Sequence, residues 1–253
     1  MNNNFVHLTS PFTEEDCRWM KVAINYARRN LGMTGKNPCV GCVIVNNNEL
    51  YGFGVTSSGG RPHAEENALN FVGKRSKNSV LYVTLEPCAH YENFLPCMEK
   101  IFQASIKRVV IACLDPDKRT NGKAVKFLLE RNIDVSLGCE EMKAMELIEG
   151  FTKRLIFKRP FIKTKIASSL DSKISLSNGK SKWITGSNTR KQIHLYRLRS
   201  DGLLTGVNTI NEDNPSLNCR LKGLNKFSPY VFILDSKLKI KTSSKILNKK
   251  NVS

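Results

Sequence analysis

No apolar run in this sequence approaches the ~18 residues that a membrane-spanning helix requires, so no membrane span is expected. The opening residues Met1-Asn2-Asn3-Asn4-Phe5 lack the basic-then-apolar pattern of a signal peptide, which makes cytoplasm the expected compartment. Acidic residues are few, 22 against 40 Lys and Arg, and the net charge is +18. Clustered basic residues neutralise phosphates and would suit nucleic acid. Here the lysines are scattered among Asn and Ile, as in Asn46-Asn47-Asn48 and Lys249-Lys250-Asn251. The basicity reads as composition bias, so nucleic acid is an unlikely partner; it would still steer phosphorylated substrates.

At 253 residues the chain is long enough for two ordinary domains. Its eight cysteines, with no secretory signal, argue against a disulfide framework. The question is which cysteines are ligands and which are small apolar fillers.

Thr13, with Asp16 three residues on, opens a helix whose apolar face is Met20, Ala23, Ile24 and Ala27. Asn37-Pro38 breaks the chain. Val40 to Val45 is a buried strand, turned at Asn46-Asn47-Asn48 into a partner at Tyr51 to Thr56. Pro62 starts a helix through Phe71. Further strands are expected at 79–84, 108–113 and 133–135, with helices at 97–104 and 124–130. The alternation describes an α/β layered domain. The pattern restarts near residue 152, giving domains 1–152 and 153–253. The second is read as a strand-like run Phe161 to Ile166, a turn at Asp171-Ser172, a helix at 187–198, and strands at 202–206 and 230–234.

Three segments carry chemistry: Pro62-His63-Ala64-Glu65, Glu86-Pro87-Cys88 and Pro96-Cys97. One His and two Cys are the protein ligands of zinc deaminases, with a fourth position left for water. Two thiolates neutralise Zn²⁺, so a general base is needed beside it, and Glu65 stands two residues from His63 on the same helix. His63, Cys88 and Cys97 are therefore assigned to the metal and Glu65 to proton transfer, with Glu66 expected to point elsewhere. A lone His-x-Glu is usually surface helix and a Pro-Cys pair is usually structural. Their conjunction in this order decides for function.

The remaining cysteines read as fillers. Cys39-Val40-Gly41-Cys42 matches C-x-x-C, but at a strand entry residues three apart face opposite sides. Cys17, Cys113, Cys139 and Cys219 have no partner at ligand spacing. His90 could touch substrate or support a ligand, and His7 and His194 have no constellation around them.

The spacing from Cys88 to Cys97 is long, and together with Asn37-Pro38-Cys39-Val40-Gly41-Cys42 and Val83-Thr84-Leu85-Glu86-Pro87-Cys88 it resembles the bifunctional deaminase/reductase family of riboflavin biosynthesis. Lys165 to Asp171, Ser181-Lys182-Trp183-Ile184-Thr185, Arg197 to Gly202 and Asp213 to Arg220 resemble that family's reductase part in order and spacing.

The resemblance implies a cytidine-deaminase-like domain followed by a partial dihydrofolate-reductase-like domain. It implies hydrolysis of the 2-amino group of a phosphorylated diaminopyrimidinone, then reduction of its ribose with NADPH. By position, Asn37, Ser181, Arg197, Leu217 and Arg220 contact substrate. Ala167, Trp183, Thr209 and Asp213 contact NADP, and Lys165 faces the sugar carbonyl. Individually Trp183 could be plain core and Arg197 a solvated helix face.

Two departures stand out: Glu92-Asn93-Phe94-Leu95 where the family has Gly-Arg-Thr-Pro, and Asp171-Ser172 where it has Asp-Gly. The family's glycine-rich NADP segment and catalytic Glu have no counterpart among these residues, so the chain alone is expected not to oxidise NADPH. A partial sheet with an open edge invites a partner, and a homo-oligomer is expected. Two other readings stand beside this one: a deaminase of tRNA type, and a catalytically silent subunit that holds zinc structurally.

Overall fold

The computed structural model describes residues 10–91, 94–179 and 183–248, and the chain divides into two compact units, 1–161 and 162–253.

In the first unit, helix α1 (Glu14–Asn30) begins at the expected capping box. Thr13 Oγ1 accepts from the Asp16 N–H, and the Asp16 carboxylate accepts from the Thr13 N–H. The hairpin β1 (Gly41–Asn46) and β2 (Glu49–Val55) follows, then α2 (Ala64–Val72), β3 (Val80–Val83) and α3 (Cys97–Gln103). After these come β4 (Arg108–Ile111), α4 (Lys123–Leu129), β5 (Asp134–Leu137), α5 (Glu141–Leu147) and α6 (Glu149–Phe157).

The strands form one sheet in the order β2-β1-β3-β4-β5. β1 pairs antiparallel with both β2 and β3, and β3, β4 and β5 run parallel. Cys42, Val43 and Ile44, successive residues of β1 that point to alternate faces, are all fully buried, so the sheet is covered on both sides. The helices supply Met20, Ala23, Ile24, Ala68, Ile101 and Leu128 to that core.

One polar network is sunk into this unit. The Asp16 carboxylate is almost fully buried and accepts both terminal nitrogens of Arg108, at 3.0 and 2.9 Å, and the Tyr82 hydroxyl at 2.9 Å. Burial pushes Asp16 up, but Arg108, the Thr13 N–H and Tyr82 outweigh it and hold the carboxyl below its ordinary value.

The second unit contains α7 (Ser187–Leu198), β6 (Gly202–Gly206), α8 (Val207–Asp213) and β7 (Tyr230–Leu234), with β6 and β7 paired in parallel. Its buried core is Ile210, Leu217, Val231 and Ile246.

Several elements differ from the sequence reading. The break near residue 152 falls inside α6, whereas the division between units lies at 161/162. Phe161 to Ile166 forms no strand, because no described segment pairs with it, and Ile162 and Ile166 stand exposed. The helices α5, α6 and α8 were not anticipated. α6 buries no residue, and α5 buries only Ala144 and Leu147, so neither carries a strong apolar period. Among the described residues no helix is long and apolar enough to cross a membrane.

Candidate active site

The sheet brings three chain segments to one place. His63 is the N-cap residue of α2, Cys88 follows the end of β3, and Cys97 is the first residue of α3. Close packing sets the position of α2. A Cβ added at Gly54 on β2 would stand 2.0 Å from the Ala64 carbonyl oxygen, so only glycine lets the first turn of α2 lie against the strand. Ahead of it, Gly60 has φ +100°, a conformation suited to glycine, and its carbonyl accepts the Asn37 side-chain amide at 3.0 Å. Asn37 therefore braces the turn that leads into His63.

The ligand atoms of His63, Cys88 and Cys97 lie within 4.8 Å of one another. His63 Nδ1 and Cys97 Sγ are 3.5 Å apart, which matches the edge of about 3.5 Å expected for a tetrahedral zinc with nitrogen and thiolate ligands. The Cys97 backbone N–H points at Cys88 Sγ, 3.2 Å away, an arrangement that favours thiolate.

Cys88 is held well below the usual thiol range by the Cys97 side chain, against its burial, and by His63; Cys97 is correspondingly pushed up by Cys88 and by burial. Burial pulls His63 down, but the Cys88 sulfur and Glu65 outweigh it and leave the imidazole above its ordinary value. One nitrogen and two sulfurs, largely shielded from solvent, form a donor set that suits zinc.

Glu65 is buried at 3% exposure, and burial pushes its carboxyl up to about 7, with the nearby Cys88 adding to the rise. Its carboxyl is within hydrogen-bonding reach of the Cys97 side chain. It thus lies beside the ligand cluster. Glu66 turns away and meets Lys100 at 2.8 Å. His90 is half-buried, its Nδ1 3.3 Å from Thr120 Oγ1. Arg61, at the rim, lies over the Phe94 ring at 4.6 Å. Cys39 and Cys42 are buried packing residues outside the ligand cluster, and none of the eight cysteines forms a disulfide.

One residue of the three quoted segments was given no role by the sequence reading. Glu86 is buried, and its carboxylate accepts the backbone N–H groups of Gly122 at 2.9 Å, Ala124 at 3.1 Å, Asp115 at 3.2 Å and Val125 at 3.4 Å. Burial pushes it up to about 7 against those bonds. It fixes the end of β3, and with it Cys88, to the first turn of α4. The available signal was a carboxylate amid residues otherwise destined for a core, Leu85 and Pro87-Cys88.

In the second unit, Arg197 and Arg220 come together around the loop at Asn218. Arg197 Nη1 donates to the Asn218 carbonyl at 3.1 Å, and the Arg220 N–H donates to His194 Nδ1 at 3.2 Å. Burial and the neighbouring Arg220 lower the Arg197 pKa, and Arg197 Nε is buried without a hydrogen-bond partner among the described residues. His194, which showed no constellation in sequence, belongs to this cluster. Leu217 is part of the small core, while Thr209 and Asp213 share α8, four residues apart. Lys165 and Ala167 lie on the segment that has neither strand nor helix. Trp183 is exposed rather than core, with Arg190 over its ring at 4.2 Å. Ser181, His7, Glu92 and Asn93 lie outside the described residues.

Residues 13–113 match the cytidine and deoxycytidylate deaminase zinc-binding region, and residues 160–253 match the RibD C-terminal domain. The chain is 41% identical over 235 residues to the riboflavin biosynthesis protein RibD of Aquifex aeolicus, covering 93% of this chain and 66% of the relative. To RibD of Escherichia coli it is 37% identical, covering 84% of this chain and 58% of the relative. It therefore spans less than two thirds of these curated relatives. Among solved structures, Acinetobacter baumannii RibD superposes with a TM-score of 0.84 at 40% identity, covering 94% of this chain and 68% of that one. A deaminase/reductase from Thermotoga maritima superposes with a TM-score of 0.87 at 35% identity over the same shares.

Proposed function

The chain belongs to the RibD family of riboflavin-biosynthesis proteins, and from that premise we propose that its first unit hydrolyses the 2-amino group of a diaminopyrimidinone carrying ribosylamine 5′-phosphate. The observation that carries the reading is the convergence of His63, Cys88 and Cys97 within 4.8 Å, with the buried Glu65 two residues along the same chain segment. His63, Cys88 and Cys97 would hold a zinc ion, which when bound would supply Lewis acidity toward a water molecule.

The protein's own part is proton movement and exclusion of solvent. Glu65 takes a proton as the water attacks, gives it to the ring nitrogen, and passes the second to the departing amine, so that water is consumed and ammonia released. Burial keeps that carboxyl out of bulk water, where competing proton exchange would bypass it. Asn37, bracing the turn before His63, is assigned to the pyrimidine edge.

For the second unit we assign Arg197 and Arg220 to the substrate phosphate, by the bidentate geometry that guanidinium groups offer. Leu217 and Ser181 complete the substrate contacts. Ala167, Trp183, Thr209 and Asp213 take NADPH, and Lys165 faces the ribose carbonyl. We also expect a homo-oligomer in the cytoplasm: β2 is an edge strand whose half-exposed Phe53 stacks on Tyr26 with ring centroids 4.1 Å apart, and none of the eight cysteines forms a disulfide.

The test is ammonia release from the diaminopyrimidine phosphate by the purified chain, with NADPH absorbance followed in parallel. Ammonia in stoichiometric yield supports the assignment. No release from a zinc-loaded protein overturns it.

A further inference from the structure

Glu66 takes no part in the proton transfers above, yet its place is not arbitrary. It follows His63 by three residues at the start of α2, and Lys100 follows Cys97 by three residues at the start of α3. Residues three apart in a helix lie on one side, so Lys100 stands one turn beyond Cys97 on α3, and Glu66 lies in the first turn of α2, just after the N-cap His63. Glu66 Oε1 and Lys100 Nζ meet at 2.8 Å, with side chains 22% and 21% exposed.

Neither helix is well held at this end by its own residues. His63 and Pro96, the two N-cap residues, make no side-chain cap hydrogen bond, and α3 is only 7 residues long. Helices this short take their stability from tertiary contacts. The pair joins them on the wall of a groove of about 540 Å³ that is also lined by Asn70, Lys74, Lys77 and Gln103.

We propose that Glu66 and Lys100 are positioning residues for the metal: their ion pair clamps α2 to α3, fixes the separation of His63 from Cys97, and so slows the loss of zinc. The proposal rests on the reading of His63, Cys88 and Cys97 as zinc ligands. Because the groove opens to solvent, dissolved salt reaches the pair and weakens it.

Zinc content of the wild-type chain is measured first, then chelator-driven zinc release at low and high salt. The proteins compared are wild type, Glu66→Gln, Lys100→Met and the charge-exchanged double variant Glu66→Lys with Lys100→Glu. At low salt each single variant should release zinc about threefold to fivefold faster, the range set by a partly shielded ion pair. The charge-exchanged protein should return most of the way to the wild-type rate. Added salt should quicken release from wild type and leave the single variants unchanged.

Wild-type rates in both single variants overturn the clamp, as does an exchanged protein that releases zinc as fast as they do. If a single variant does not fold, the salt series on wild type still decides, because release that ignores salt contradicts the proposal. A wild-type chain that binds no zinc overturns the metal reading beneath it. Stoichiometric zinc with unaltered release overturns the clamp alone.

Discussion

The strands β1 and β7 read alike as sequence: Cys42-Val43-Ile44-Val45 in the first unit, Val231-Phe232-Ile233-Leu234 in the second. In the fold they differ. Every one of those β1 side chains is buried, whereas in β7 Val231 is buried while Phe232 and Leu234 are exposed. An apolar run of this length specifies a strand, but the number of covered faces is set by what packs above and below. β1 lies between β2 and β3 in a five-stranded sheet with flanking helices; β7 has β6 beside it and a small cluster beneath. The chemistry proposed for the first unit depends on that enclosure, since Glu65 is shielded by the same packing that buries β1.

The sharpest test of the contrast is Glu65→Gln, which leaves both units folded and zinc in place. Deamination should fall by about 10²- to 10⁴-fold, measured as ammonia release. A loss under tenfold would place the proton transfer elsewhere.

Next is a matched pair of core truncations. Ile44→Ala, inside the enclosed sheet, should cost about 3–5 kcal/mol, and Ile210→Ala, in the small cluster, about 2 kcal/mol. Urea unfolding followed by tryptophan fluorescence reports both, since Trp19 lies in the first unit and Trp183 in the second. Equal costs would mean that the two cores are equally packed, contrary to the difference in their extent.

The third prediction concerns pH. Because the folded Asp16 carboxyl is held below its ordinary value, its contribution is fully present above the unfolded value near 4. It is lost as pH falls through the lower folded value. Asp16→Asn should destabilise the first unit by about 3 kcal/mol at neutral pH, because it leaves Arg108 without its buried partner. It should also flatten the loss of stability as pH falls below the unfolded value near 4. An acid limb as steep as that of wild type would remove Asp16 from the account.

The smallest effect is expected on the bare side of β7. Phe232→Ser should change stability by no more than about 0.5 kcal/mol, the range for surface substitutions. Val231→Ser, one residue away and buried, should cost several times as much.

Much of this was legible in the sequence for reasons that these elements make plain. The capping box at Thr13 and Asp16 is a local device, and the helix at 187–198 and the strands at 202–206 and 230–234 have the bounds expected. The ligand segments were legible because metal chemistry restricts residue type and order. Contacts made across the fold left no local trace. Asp16 meets Arg108 over 92 positions, and Glu86 reaches Gly122 over 36. Phe161 to Ile166 shows the converse limit. Its pattern suits a strand, but a strand exists only where another segment pairs with it.

The bonds to Glu86 carry one more implication. All four are made to main-chain amides, at Asp115, Gly122, Ala124 and Val125. A carboxylate that grips only backbone is indifferent to the side chains of the loop it holds, but not to how many residues that loop contains. Substitutions at the exposed positions of that stretch, Lys118, Arg119, Asn121 and Lys123, should therefore leave the grip of Glu86 intact, whereas proline at any of the four donors, or a branched residue at Gly122, whose φ is +75°, should break it. Removing or inserting a single residue is a different matter. It would shift every amide out of step with the carboxylate and leave a buried charge without its donors. At its exposed positions, the stretch that Glu86 holds is thus constrained as a length rather than as a spelling.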